Sequence, residues 1–257
     1  MPQTLTPPQT ELTRLLARHD IWQGGDRCPR RKTLSSGHPQ LDALLGGGWP
    51  AAALTELLPK QIGIGELSLL LPTIQHHTAR QHLCIWLNPP YQPYAPALAR
   101  SGVDLNLIWV VQSRDEQQWL WAAEQSIRSN ALLLAWPTPS ARPHKLAYSA
   151  LRKLQLAAAD QHLPCFLFNS SQAASTASPA TLRMALSPYQ QGAQQQLQIN
   201  LLKLYGQLPG KQLRLPTPAH WRPQTALSRL PVVVYRKPGQ TLTNRITLKS
   251  NAKWLSA

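Results

Sequence analysis

Short apolar runs alternate with longer amphipathic segments between residues 33 and 206. Continuous apolar runs predict buried strands, whereas apolar residues at helical spacing predict helices. The last two predicted strands follow one another without a helix, which predicts an antiparallel pair at one sheet edge. The alternation predicts an α/β fold with a mainly parallel sheet flanked by helices. The predicted strands are 51–58, 83–87, 107–111, 131–135, 164–168, 181–186 and 197–205, and the predicted helices are 40–45, 66–79, 94–101, 114–129 and 143–161.

Two flanking segments differ from this core in composition. Residues 1–32 combine a predicted amphipathic helix at 10–19 with a linker, and residues 207–257 are rich in proline and basic residues. Short strand-like runs occur in the second segment at 232–235 and 242–248. The predicted organisation is therefore an N-terminal helix and linker (1–32), an α/β core (33–206) and a basic, Pro-rich C-terminal appendage (207–257).

The formal net charge of +15 is concentrated in the C-terminal part of the chain. From residue 161 to the end there are eleven Lys and Arg residues and no Asp or Glu, so this part alone contributes +11. Such a stretch favours contact with nucleic acid or an acidic partner, and the alternative is a solvated basic face. Trp221 and Tyr235 are candidate stacking residues. The candidate basic contacts are Lys203, Lys211, Arg214, Arg222, Arg229, Arg236 and Lys237.

Composition excludes several other classes of protein. The three cysteines are far apart and form no Cys-x-x-Cys pair, so neither a zinc site nor a disulfide framework is indicated. Carboxylates are too scarce to favour a paired acid/base site, and no cofactor or metal is expected. The first residues lack the features of a secretion signal, which predicts a soluble cytoplasmic protein.

The segment 55–70 has the strand, loop and helix context of a phosphate-binding loop but lacks its chemistry. In a working loop, Gly-Lys-Ser/Thr ends the turn, the Lys neutralises phosphate charge and the hydroxyl holds Mg²⁺. Here Gly63 and Gly65 are present, but Glu66 and Leu67 follow. A carboxylate repels phosphate and Leu cannot bind a metal, so these four residues are interpreted as a vestigial loop. An unconventional ATPase that uses Lys60 is the alternative.

Tryptophans and one connection give further predictions. Trp86, Trp109 and Trp136 lie in strand-like runs and are predicted to be core residues. Trp119 and Trp121 cannot share one helix face, so one of them is predicted to be exposed. The composition of residues 169–179 is typical of a mobile loop.

Other segments resemble the cores of RecA-type ATPases. Residues 34–50 resemble the stretch that leads into the ATPase strand, and 94–104 and 201–210 resemble later parts of that core. The predicted strand 83–87 ends at Asn88, where the RecA family has a catalytic Glu. The run 131–136 resembles the Walker B strand, with Trp136 in place of the Asp that binds Mg²⁺.

Together these segments, over about residues 33–218, resemble the ImuA family of RecA-like accessory proteins in bacterial translesion-synthesis cassettes. The resemblance implies a RecA-like pseudo-ATPase, not an enzyme, that acts as an adaptor in SOS-induced translesion synthesis and mutagenic DNA repair. Implied partners are an ImuB-type Y-family-like protein, an error-prone C-family polymerase and, as a further candidate, RecA, with DNA bound through the basic C-terminal region. Residues 63–72 are also similar to SulA-type inhibitors, which bind the tubulin-like division protein, and that role is the alternative. The segment 34–50 and the chain length favour ImuA.

Overall fold

The computed structural model describes residues 32–138, 146–161, 164–191, 194–204, 209–216 and 232–234. The helices in these ranges are α1 (Pro39–Leu45), α2 (Leu71–Thr78), α3 (Ala95–Arg100), α4 (Glu116–Arg128) and α5 (Tyr148–Gln161). Two 3₁₀ turns lie at Leu105–Leu107 and Ser171–Ser175. The strands are β1 (Thr33–Leu34), β2 (Trp49–Pro50), β3 (Ala53–Pro59), β4 (Cys84–Leu87), β5 (Ile108–Gln112), β6 (Leu132–Ala135), β7 (Pro164–Phe168), β8 (Leu182–Gln191), β9 (Gln194–Leu204), β10 (Gln212–Pro216) and β11 (Val232–Val234). Within the described ranges, no helix has the length and apolar character needed to cross a membrane.

One mixed sheet organises the described chain, in the order β10-β9-β8-β3-β7-β6-β4-β5-β11. The pairs from β8 through β3, β7, β6, β4 and β5 to β11 are parallel, and β8–β9 and β9–β10 are antiparallel. The predicted α/β class, the mainly parallel sheet and the antiparallel pairing of β8 with β9 are confirmed, but β10 rather than β9 forms the edge of the sheet. This arrangement is compatible with a RecA-like fold.

Helices cover both faces of the central sheet. On one face, α1, α2 and α3 enclose a core that includes Leu57, Trp86 and Phe166. On the other face, α4 and α5 pack over a second core that includes Leu54, Leu133 and Leu167. The central strands are buried on both sides, which explains their continuous apolar sequences.

The Asp42 side chain of α1 holds the segment that precedes this helix. Asp42 accepts hydrogen bonds from the Ser36 backbone N–H at 2.8 Å and from the Ser35 hydroxyl at 2.7 Å. Burial by itself would raise the pKa of Asp42, but these hydrogen bonds and the nearby His38 outweigh it and lower the pKa. At Gly48 the left-handed φ of 115° and the approach of the Leu34 carbonyl, 2.2 Å from where a Cβ would lie, exclude any side chain.

Helix α2 begins later than the sequence predicts. The predicted helix spans 66–79, whereas residues 66–70 form turns in which Ser68 N–H bonds to the Gly65 carbonyl and Leu70 N–H to that of Leu67, each at 3.0 Å. Pro72 sets the boundary, because it lacks the N–H that a helix through Ser68 would need and suits the first turn. For α5, the described helix starts at Tyr148, and residues 143–145 lie outside the described ranges.

Two strands come from the region that the sequence assigns to the appendage. Residues 212–216 pair antiparallel with β9, and Leu215 is buried in the first core. Val232–Val234 pair parallel with β5 at the opposite edge. The predicted helix 10–19 and the predicted strand 242–248 lie outside the described residues.

The predicted burial of Trp109 is wrong. Its side chain is 42% exposed, because β5 lies near the sheet edge and α4 packs over β4 and β6 instead. The prediction for the helical pair is confirmed: Trp119 is fully buried and Trp121 is 45% exposed. Trp86 and Trp136 are buried as predicted.

Candidate functional site

The vestigial loop lies at the carboxyl end of β3, between that strand and α2. Gly63 and Gly65 have φ values of 84° and 97°, so both need the conformational freedom of glycine. Lys60 continues the strand, because its N–H bonds to the Leu186 carbonyl of β8 at 2.8 Å. The loop therefore occupies the position that a phosphate-binding loop takes in an open α/β sheet.

The side chain of Glu66 folds back into this loop. Its Oε1 accepts a hydrogen bond from the Gly63 backbone N–H at 3.0 Å, and the residue is only 5% exposed. The second oxygen, Oε2, is buried and has no hydrogen-bond partner among the described residues. The Glu66 carboxylate thus accepts a hydrogen bond from a backbone N–H of the kind that a working loop directs at a phosphate.

Apolar packing closes the rest of the loop. Ile64, Leu69 and Leu70 are almost completely buried, and Leu67 packs against the first core. The Ser68 hydroxyl donates to the Gly65 carbonyl at 2.5 Å. Leu67 therefore serves as a packing residue at the position where a working loop presents a metal-binding hydroxyl.

Asn88 ties together the loops that follow three neighbouring strands. It lies at the end of β4 with a left-handed φ of 53° and is 6% exposed. Its side-chain oxygen accepts from the Ser113 N–H at 2.6 Å, and its amide donates to the Ser113 hydroxyl at 2.9 Å and the Thr138 hydroxyl at 3.2 Å. This amide joins the segments that follow β4, β5 and β6, which is a structural role.

Trp136 follows directly after β6 and takes part in a group of packed aromatic rings. Its ring stacks on Phe168 with a centroid separation of 4.4 Å and an interplanar angle of 3°, and it lies 5.9 Å from the ring of Trp86. The Trp119 indole N–H donates to the Trp136 carbonyl at 2.6 Å. An aromatic stack of this kind stabilises the core and offers no ligand to Mg²⁺.

A buried ionic network lies beside the loop and was missed by sequence reasoning. Arg183 on β8 forms an ion pair with Glu56 on β3 at 2.6 Å, and the Asn169 amide donates to the other Glu56 oxygen at 3.1 Å. Glu56 and Arg183 are 1% and 6% exposed. The sequence contains one signal of this ion pair, because each of two apolar strand runs includes a single charged residue.

The same arginine orders the connection after β7, where composition indicates a mobile loop. Its guanidinium donates to the Ala173 carbonyl at 2.6 Å and the Thr176 carbonyl at 3.0 Å. These bonds hold the 3₁₀ turn Ser171–Ser175 against the sheet. The charge that makes these contacts comes from the next strand, so the composition of the loop itself gives no sign of them.

Three of the seven candidate basic residues lie in the described chain, on or beside β9 and β10. Lys203 donates to the Ser178 carbonyl at 2.8 Å, and Arg214 lies over the ring of Tyr189 at 3.8 Å. Desolvation, together with the charge of Arg183, lowers the pKa of Lys203 against the opposing effect of Glu56. Lys211 is exposed in the turn before β10. Outside the described residues lie Arg222, Arg229, Arg236, Lys237, Trp221 and Tyr235.

The chain was compared with models of protein families and with curated proteins, and neither comparison gave a match.

Proposed function

We propose that this chain is a non-catalytic, RecA-like adaptor in SOS-induced translesion DNA synthesis. The observation that carries the proposal is the closed loop after β3, in which the Glu66 carboxylate bonds to the Gly63 N–H. A phosphate at that place would meet the buried Glu66 side chain, which already takes the Gly63 N–H that a phosphate would use. The proposal therefore assigns the fold to docking rather than to nucleotide hydrolysis.

Two further positions support the loss of catalysis. A nucleotide-hydrolysing core needs a carboxylate to position water and another to hold Mg²⁺. Asn88 and Trp136 stand at the corresponding strand ends and are used for hydrogen bonding and aromatic stacking. The strand order is compatible with a RecA-like fold, so the proposed adaptor would keep the architecture and lack the catalytic groups.

The proposed partners follow from the resemblance to ImuA. They are an ImuB-type Y-family-like protein and an error-prone C-family polymerase, with RecA as a further candidate, in the cytoplasm. The acid-free sequence from residue 161 onward supports a role beside DNA. A SulA-type inhibitor of the tubulin-like division protein would have no use for that charge.

Binding experiments with defined baits separate these roles. The tagged full chain should retain the purified ImuB-type protein or the C-family polymerase and should not retain the tubulin-like division protein. Retention of the division protein alone would overturn the adaptor role.

Complementation of damage-induced mutagenesis tests the loss of catalysis in cells. Cells that lack the chain should lose ultraviolet-induced mutagenesis, and both the unaltered chain and Lys60→Ala should restore it. If Lys60→Ala fails to restore mutagenesis although it accumulates normally, the alternative of a Lys60-dependent ATPase is favoured.

A further inference from the structure

The antiparallel extension of the sheet carries a face that the described helices leave uncovered. On β8, Leu182, Met184 and Leu186 are buried in the first core, so the residues between them point to the opposite face. On that opposite face, α4 and α5 pack over β3, β4, β6 and β7. The polar face of β8, β9 and β10 consists of Ser187, Tyr189, Gln196, Gln198, Asn200 and Arg214.

The chemistry of this polar face suits phosphates and bases. Amide side chains dominate its middle, and the amide of Gln198 donates to Asn200 at 3.5 Å. Arg214 lies across β9 over the ring of Tyr189, and Arg214 itself is exposed. A base can stack on such a guanidinium–tyrosine pair, while the guanidinium N–H groups, which have no hydrogen-bond acceptor among the described residues, can hold a phosphate.

A second group of cations lies at the other end of the same face. Lys203 sits opposite Arg183 in the β8–β9 ladder. It lines a cleft of about 480 Å³ together with Lys32 and the small residues Ala52, Ala53, Ala180 and Thr181. Arg183 and Tyr189 are six positions apart along β8. The two cationic ends of the polar face are therefore about 20 Å apart.

The charge and the composition of the polar face indicate which class of ligand binds there. No acidic residue occurs anywhere after Asp160, so β8, β9 and β10 contain none. Within the described strands, Tyr189 is the only large aromatic residue of the polar face. This argues against a protein partner, because protein interfaces need a desolvated apolar centre. A sheet face with one stacking platform and cations at both ends fits an extended single strand better than a duplex, whose bases are already stacked.

We propose that single-stranded nucleic acid binds along the polar face of β8, β9 and β10. Arg214 and Lys203, with Lys32, hold its backbone phosphates, and the Arg214–Tyr189 pair stacks a base. The expectation that the strand is DNA near a lesion rests on the proposed function, whereas the surface itself rests on the geometry of the described residues. In this proposal the main contact with nucleic acid lies on the folded sheet rather than in the Pro-rich C-terminal appendage.

Oligonucleotide binding tests this surface in the full chain. Fluorescence anisotropy with labelled oligo-dT should show that Arg214→Gln and Lys203→Gln each weaken binding about fivefold and that Tyr189→Ala weakens it about tenfold. Tyr189→Phe should bind nearly as the unaltered chain does, which separates stacking from damage to the fold. Lys153→Gln, an exposed residue on α5 with the same change of charge, is the matched control and should have no effect.

Salt dependence provides a second measurement. Each phosphate contact that is lost should reduce the slope of log affinity against log salt by about 0.7 for a single strand. Arg214→Gln should therefore lower the slope, and Lys153→Gln and Tyr189→Ala should leave it unchanged. Equal binding by the unaltered chain and by a variant combining Arg214→Gln, Lys203→Gln and Tyr189→Ala would overturn the proposal, as would tighter binding of the matching duplex.

The combined variant also separates this proposal from the adaptor role. If it binds oligo-dT normally while the chain still retains the polymerase proteins, the polar face is wrong and the adaptor role stands. If it loses oligo-dT binding while the chain retains none of those proteins, the polar face stands and the adaptor role is wrong.

Discussion

The carboxylate of Glu56 and the guanidinium of Arg183 lie 2.6 Å apart in the interior of the sheet, on the neighbouring parallel strands β3 and β8. Their partners extend the contact to Asn169 and to the carbonyls of Ala173 and Thr176. The pair therefore fixes the register of two strands and anchors the connection after β7. Because each charge is buried, removing one partner leaves the other without compensation.

Breaking this ion pair should destabilise the protein strongly. We expect Arg183→Met to lower the free energy of unfolding by about 3 kcal/mol, since Glu56 would remain buried and unpaired. The double variant Glu56→Met with Arg183→Met should recover much of that loss. Urea unfolding measures the free energy of unfolding of the single and the double variant, with the exposed Arg128→Met as control. Equal stabilities of Arg183→Met and Arg128→Met would show that the pair contributes little.

The closed loop should not bind nucleotide. Because Glu66 occupies the loop and Leu67 packs in the core, we expect no micromolar affinity for a fluorescent ATP analogue with Mg²⁺. Glu66→Lys with Leu67→Ser should not produce hydrolysis, since Asn88 and Trp136 still stand where carboxylates are needed. Phosphate release is measured with and without single-stranded DNA. Turnover by the unaltered chain that Lys60→Ala abolishes would contradict the prediction.

Acid should destabilise the protein through His77. This residue of α2 is 7% exposed, and desolvation, followed by the charges of His82, His76 and Arg80, lowers its pKa to about 4. The unfolded chain takes up a proton near pH 6.5 and the folded chain does not, so stability falls as the pH drops from 6.5 towards 4. The expected loss between pH 7 and pH 5 is about 1–2 kcal/mol.

Replacing the histidine isolates this effect. His77→Gln should flatten the decrease in stability between pH 7 and pH 5, whatever its stability at pH 7, and thermal unfolding across that range measures it. The exposed His76→Gln is the control and should keep the decrease. An unchanged pH profile in His77→Gln would assign the acid sensitivity to other groups.

Truncation should distinguish the folded part of the C-terminal region from the rest. A chain ending at residue 218 keeps β10 and the buried Leu215 and loses β11, so it should fold with a modestly lower melting temperature. A chain ending at residue 206 also loses β10 and uncovers the edge of β9. It should be less stable than the longer truncation by at least about 2 kcal/mol, the free energy of burying one leucine. Equal stability of the two chains would show that β10 contributes nothing to the core.

Local patterns were sufficient to predict most of the central strands and helices. Apolar runs and helical spacing are properties of adjacent residues, so they identify β3, β4, β6 and β7 to within one or two residues at each end. The roles assigned to Glu66, Asn88 and Trp136 rest instead on their positions in segments that resemble a phosphate-binding loop and the RecA-type core. Helix α2 was extended too far because the pattern of apolar residues continues through turns that Pro72 excludes from the helix.

The features that local patterns did not predict depend on which strands become neighbours in space. Glu56 and Arg183 are 127 residues apart in the chain, and only the placement of β8 beside β3 brings them together. The exposure of Trp109 follows from the position of β5 near a sheet edge, where α4 does not reach. The sequence alone determined the class of fold, because apolar runs and helical spacing are encoded over short distances. The tertiary structure decided the buried ion pair and the polar face, because each depends on contacts between distant parts of the chain that no local pattern specifies.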